Sequence, residues 1–418
     1  MFSRMVEVRQ KVPSPKIKDY VSAIRDELRK KNLHNKIKLG WKIAITAGSR
    51  GIVHYPEILA TVVDEVKRAS GKPFLVPAMG SHGGATPEGQ LQVLKSLGIT
   101  SETIGAPIHS SMEVDEIGRL DNNTSVYVDR IALKADGIIV VGRVKPHTDF
   151  KDKIESGLMK MMAIGLGKQK GAEMIHWYQS EGYHKLIPAA AKLIMKKAPI
   201  LLGLAVVENA YHEIAIVKAL EPNEIEQEEM KLLEKAKELL ARLPFKEIDI
   251  LIIGEIGKDI SGEGMDTNVT GRFWLPGESD PKAPKIKKIV VLDLSEGTHG
   301  NAIGIGLADV TTKRVISKID YDATFVNCLT AGSTDTGKIP VFLPNDRDAI
   351  ATALRTCGPI DPSKAKVVRI KNTLELQRFW ISKSLAEIVK SNRKLLKRIE
   401  FLSEPREMQF DVLGTLAR

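Results

Sequence analysis

The stretch Lys42-Ile43-Ala44-Ile45-Thr46-Ala47-Gly48-Ser49-Arg50-Gly51 decides the fold class. A short β-rich run passes straight into a polar, glycine-containing turn. Pro56 to Ala69 then reads as a helix, opening with proline where its missing N–H costs little. The same unit recurs downstream: Phe74 to Ala78 runs into Met79-Gly80-Ser81-His82-Gly83-Gly84 and a helix over Pro87 to Leu97, and Gly137 to Gly142 runs into Arg143-Val144-Lys145-Pro146-His147. Strands alternating with helices predict α/β layering rather than a bundle or a sandwich. Ligands of open α/β sheets bind beyond the carboxyl ends of the strands, so three polar turns at one edge predict one site.

Beyond these units, Lys168 to Gln179 and Tyr183 to Lys197 read as helices and Leu201 to Val207 as a strand. Asn223 to Leu243 reads as a long charged helix with apolar residues at helical spacing. A second α/β set follows Pro244: Ile248 to Ile253, Ile289 to Leu292, a helix near Asn301 to Asp309, the apolar run Thr324 to Leu329, a helix from Asp346 to Thr356, and Lys366 to Ile370. The 418 residues exceed one ordinary core. The expectation is two α/β domains with an active-site cleft between them. They span 1–243 and 244–382, and a closing helix and tail, 383–418, is placed to pack back on the N-terminal domain.

Composition narrows the function classes. With 43% hydrophobic and 27% charged residues the chain suits a folded globular protein, which excludes disorder and fibre. No stretch approaches the roughly 20 apolar residues of a membrane span, and the start lacks the apolar block of a secretory signal, so a cytoplasmic location without a membrane partner is expected. The net charge of +10 is scattered among acidic neighbours such as Glu226, Glu228 and Glu229, only Lys383 to Arg398 is locally basic, and aromatics make up 5%. No nucleic-acid partner is expected, and the surplus reads as a solvated surface that draws in anionic substrates. Cys328 and Cys357 form no CxxC pair and read as buried small hydrophobes.

The densest chemistry lies between Lys145 and His176. Lys160 sits among Leu158, Met159, Met161 and Met162, where an ammonium is expensive unless paired, depressed in pKa or covalently modified. A desolvated lysine is also a nucleophile. His176, inside a helical run, offers an imidazole to a borderline metal such as nickel, although a lone histidine on a half-apolar helix reads at least as readily as structural. Arg50, behind Ser49 and between two glycines, is the natural anion clamp. Lys145 and Lys153 read either as phosphate contacts or as solvated lysines.

These landmarks resemble the lactate racemase family. Ser156-Gly157-Leu158-Met159-Lys160 takes the place of the family's Ser-Gly-Gly-Arg-Lys-like turn, and the interval to His176 is similar. Gly80-Ser81-His82, with Thr86-Pro87-Glu88 behind it, resembles the family's Gly-Thr-His, and Ser49-Arg50 resembles its Thr-Arg. The resemblance implies a nickel-pincer nucleotide, a pyridinium-3,5-bisthiocarboxylic acid mononucleotide carrying nickel. Lys160 would be its point of attachment, His176 the nickel ligand, and Arg50 and Ser49 further cofactor contacts. It also implies racemisation or epimerisation of a 2-hydroxy acid by hydride transfer, via a 2-keto acid, with His82 and His147 as bases on opposite faces. Expected partners are a small 2-hydroxy acid and the proteins that synthesise the cofactor, and the reading allows for a homo-oligomer.

The substrate shell departs from the family's. Ala47 stands where the family has an acidic residue, Gly83 replaces an arginine, and Glu296-Gly297-Thr298-His299-Gly300-Asn301 replaces an aromatic, a glutamine and a lysine. Arg50, His299 and Asn301 are therefore the expected substrate contacts. Asp266-Thr267-Asn268 and Arg272 would reach a larger polyhydroxy or dicarboxylic acid, or serve as ordinary turn residues. Two other readings compete: a nickel-cofactor storage protein without turnover, and a metal-dependent hydrolase or lyase built on His82, His147 and His176.

Overall fold

The computed structural model describes residues 2–417. Two compact units divide the chain. One comprises Pro13–His147 and Lys151–Leu240; the other comprises the chain up to Val12, Thr148–Phe150, and everything from Ala241 onward.

The first unit is built on a five-stranded sheet in the order Lys72–Pro77, Lys42–Ala47, Gly137–Arg143, Ile200–Glu208, Ile214–Leu220. The first four strands are parallel and the last antiparallel. Gly137–Arg143 is buried along almost its whole length, as expected of a central parallel strand covered on both faces. On one face the helices Tyr20–Lys30 and Tyr55–Arg68 bury Ile24, Leu28, Ile58, Leu59 and Val62 against Ile43, Ile45, Ile139, Val141 and Leu202. The other face takes Leu158 and the helix Ile225–Leu239, whose Ile225 approaches Gly203 closely. Lys42–Ala47 has Lys72–Pro77 on one side and Gly137–Arg143 on the other, so the connections leave in opposite directions. The crevice at that switch point is where such sheets bind ligands.

The second unit carries an eight-stranded sheet in the order Val341–Leu343, Val310–Thr312, Lys285–Val291, Glu247–Ile253, Val367–Ile370, Arg378–Ser382, Met5–Gln10, Ile399–Phe401. Strands up to Val367–Ile370 pair in parallel and the remainder antiparallel. Two expectations need correction here. The first residues join this unit because Met5–Gln10 pairs with Arg378–Ser382 and Ile399–Phe401. The same pairing places the closing segment in this unit too, rather than on the N-terminal domain.

The helix expected near Asn301 to Asp309 is also absent, apart from one turn at Ile305–Leu307. Gly304 lies at φ +90° with the Glu263 carbonyl only 1.8 Å from where a Cβ would stand, a left-handed backbone that breaks helical continuity. The apolar run Thr324 to Leu329 belongs to a helix, Tyr321–Ala331, started by Asp320, whose carboxylate accepts from the Ala323 N–H. Cys328 and Cys357 are buried and unbridged. Among the described residues no helix is long and apolar enough to cross a membrane.

Candidate active site

Sequence-predicted residues converge where the strand Gly137–Arg143 ends. Lys145 and Ser156 exchange backbone hydrogen bonds of 3.0 and 3.2 Å, which closes the base of the loop that carries His147. The buried Glu155 carboxylate holds that loop. It accepts from the His147 N–H at 2.6 Å and from Lys151 Nζ at 3.2 Å, and its other oxygen pairs with Lys237 Nζ at 3.1 Å. Lys151 also donates to the His147 carbonyl. The imidazole is thus carried on backbone fixed by ionic hydrogen bonds.

Lys160 closes the short helix Leu158–Lys160, which runs on into a wide π-type turn over Met161–Leu166. Such turns are frequent at functional sites. Its Nζ lies in direct contact with His147 Nε2. His176 is in the last turn of the helix Lys168–Trp177. The buried Tyr183 ring stands beside both imidazoles, with centroids 6.2 Å from His147 and 5.7 Å from His176. Burial, and then the positive charges of Lys160, Lys151, Lys145 and His176, hold the His147 pKa well below its ordinary value. At neutral pH the ring is uncharged and can accept a proton.

Glu229 underlies the Lys160 turn. It is fully buried, and its Oε2 accepts from the Leu158 and Met159 N–H groups at 2.7 and 3.1 Å. Burial pushes its carboxyl up to about 7. Sequence reasoning treats the Glu226 to Glu229 run as solvated, but Glu229 falls in the helical stripe of Ile225, Leu232, Leu233 and Ala236, and that spacing is the signal that sets it apart. Tyr183, by contrast, carries no sequence signal.

The other predicted residues reach the same sheet edge from neighbouring strands. Ser49 and the exposed Arg50 follow Lys42–Ala47. Their turn is pinned on both sides: the Gly48 N–H donates to the Tyr55 hydroxyl at 2.7 Å, and the Val53 N–H donates to Glu208 Oε1 at 2.7 Å, whose Oε2 pairs with Arg143. His82, also exposed, follows Lys72–Pro77.

In the second unit, His299 is exposed at φ +49°. Asn301 instead braces the helix Tyr321–Ala331, with its amide 3.3 Å from Asn327 Oδ1 and its Oδ1 accepting from the Ile303 N–H at 3.2 Å. Arg272 pairs with Asp309 at 2.6 Å and Asp266 caps Thr267–Thr270, so both serve as structural turn residues there. Among the described residues no three His, Cys, Asp or Glu side chains gather to hold a metal by themselves.

The first unit is thus an open α/β sheet with Lys160 and His147 clustered beyond the end of its central strand. Residues 3–176 match the family described as the lactate racemase N-terminal domain. Its fold is similar to that of the lactate racemase apoprotein from Thermoanaerobacterium thermosaccharolyticum. The two are 15% identical with a TM-score of 0.50, over 88% of this chain and 98% of that one. No curated protein sequence matches the chain.

Proposed function

We propose that this chain is a racemase or epimerase of a 2-hydroxy acid that works with a nickel-pincer nucleotide tethered to Lys160. One observation carries the reading: the Lys160 amine lies against His147, and the Tyr183 ring stands beside both His147 and His176. The donor set fits the group. A tether needs one amine, which Lys160 supplies, and a nickel ion held by the group's carbon and sulfur atoms would need one imidazole, which His176 would supply. When bound, the group supplies an acceptor for the C2 hydride, so that the carbinol carbon becomes a planar keto carbon open to reduction from either face.

The chain's own residues do the rest. His147, held neutral, takes the substrate hydroxyl proton at an imidazole nitrogen and returns it. His82 is the second base, for the opposite face. Arg50 binds the substrate carboxylate, with Ser49 toward the cofactor. Cofactor-synthesis proteins load the chain in the cytoplasm.

Protein co-produced with the cofactor-synthesis machinery should show an intact-mass adduct that is lost in Lys160→Ala. Chiral analysis over a panel of 2-hydroxy acids, sugar acids included, should show interconversion of one of them. An unmodified mass under verified cofactor supply would overturn the reading.

A further inference from the structure

Lys168 is fully buried, yet the chemistry proposed above gives it no task. It opens the helix whose last turn carries His176, and its φ of +54° is a left-handed conformation that a side-chain-bearing residue keeps only when its surroundings enforce it. Its ammonium donates to the Pro77 carbonyl and to Gln90 Oε1 at 3.1 Å, and pairs with the Asp129 carboxylate at 3.1 Å. Asp129 is equally buried, and its other oxygen accepts from the Ala132 N–H at 2.8 Å.

Gln90, fully buried as well, continues the connection. Its Nε2 donates to the Gly80 carbonyl at 2.9 Å and to the His82 carbonyl at 3.3 Å. The turn those carbonyls belong to is compact. Gly80 and Gly83 have φ of +61° and +68°, and a Cβ on Gly83 would stand 2.5 Å from the Gln90 nitrogen. The Gly80 N–H reaches the Gly165 carbonyl at 3.3 Å, three residues before the helix begins at Lys168. A buried ion pair is a poor way to gain stability, since an apolar pair of the same volume does as well. What this one provides is a fixed geometry between two elements that each carry a histidine of the site.

We propose that Lys168 is a positioning residue: with Asp129 and Gln90 it clamps the turn bearing His82 to the start of the helix bearing His176, fixing both imidazoles in one frame. Its catalytic consequence rests on the racemase reading; the clamp itself does not.

Two variants test it. Gln90→Met removes the link without leaving a buried charge. Lys168→Met combined with Asp129→Asn removes both charges together, avoiding the unpaired carboxylate that would unfold Lys168→Met alone. In each cofactor-free protein, hydrogen exchange of the 79–90 peptide should accelerate about tenfold, the value of roughly one lost hydrogen bond, while the strand 137–143 exchanges as before. In loaded enzyme kcat should fall about a hundredfold, with KM and bound nickel little changed. Unaltered exchange over 79–90 in the folded variants would overturn the clamp, and so would full kcat in a variant whose turn has loosened. A turn loosened in the variants, together with a loaded wild type that racemises nothing, would instead uphold the clamp and sink the functional reading.

Discussion

The Nζ of Lys160 touches Nε2 of His147, a residue 13 positions earlier in the chain. An ammonium at that nitrogen opposes protonation of the ring, so each group controls the state of the other.

Lys160→Met should therefore raise the His147 pKa toward its ordinary value while leaving it below, because burial, the larger cause, remains. Acylation of Lys160 removes the same charge and should act in the same direction. Titration of the His147 ring by NMR in wild type and variant measures the change. Coincident curves would show that the contact has no electrostatic effect.

Glu229 sets a pH dependence of stability. Its folded pKa of about 7 lies above that of the unfolded chain, so its contribution is fully present below about pH 4.5 and is lost as pH rises through 7. Full ionisation would cost on the order of 3 kcal/mol. Glu229→Gln keeps an acceptor for the Leu158 and Met159 N–H groups, and its advantage in Tm over wild type should widen between pH 5 and pH 8.5. Parallel Tm profiles across that range would refute this.

A methyl group at position 157 has no room, since a Cβ there would lie 2.4 Å from Glu229 Oε1. Gly157→Ala should destabilise by about 1–3 kcal/mol, and the penalty should shrink in a Glu229→Ala background. Chemical denaturation of the four proteins in that cycle reads the coupling. Additive losses would place the strain elsewhere.

His176→Ala should separate tether from metal. Protein loaded in the presence of cofactor should keep the Lys160 adduct by intact mass but lose or loosen nickel, measured by elemental analysis after gel filtration. Stoichiometric, tightly held nickel in the variant would remove His176 from the ligand set.

The parallel strands of the first unit are legible because central strands are unbroken apolar runs, and Ile138 to Val141 ends at Gly142, ahead of its polar turn. Met5–Gln10 alternates apolar and polar residues well enough, but its neighbours lie more than 360 residues away, beyond any local turn signal. The hairpin Val114–Arg119 with Ser125–Asp129 escapes detection because its first strand is only half buried and shows no clean alternation. Lys145, His147, Lys160 and His176 were readable as a group because they share one short segment. Asp129, Gln90 and Glu229 were not, since only the fold brings them to it.

The pairing of Met5–Gln10 has a consequence for synthesis. This strand is synthesised more than 360 residues ahead of its partners at 378–382 and 399–401, so the nascent chain must carry an unmatched β-edge while the intervening unit is translated and folds as an insertion. Circular permutation that joins the two termini and opens the chain in an exposed loop would bring those strands together early and shorten that exposure.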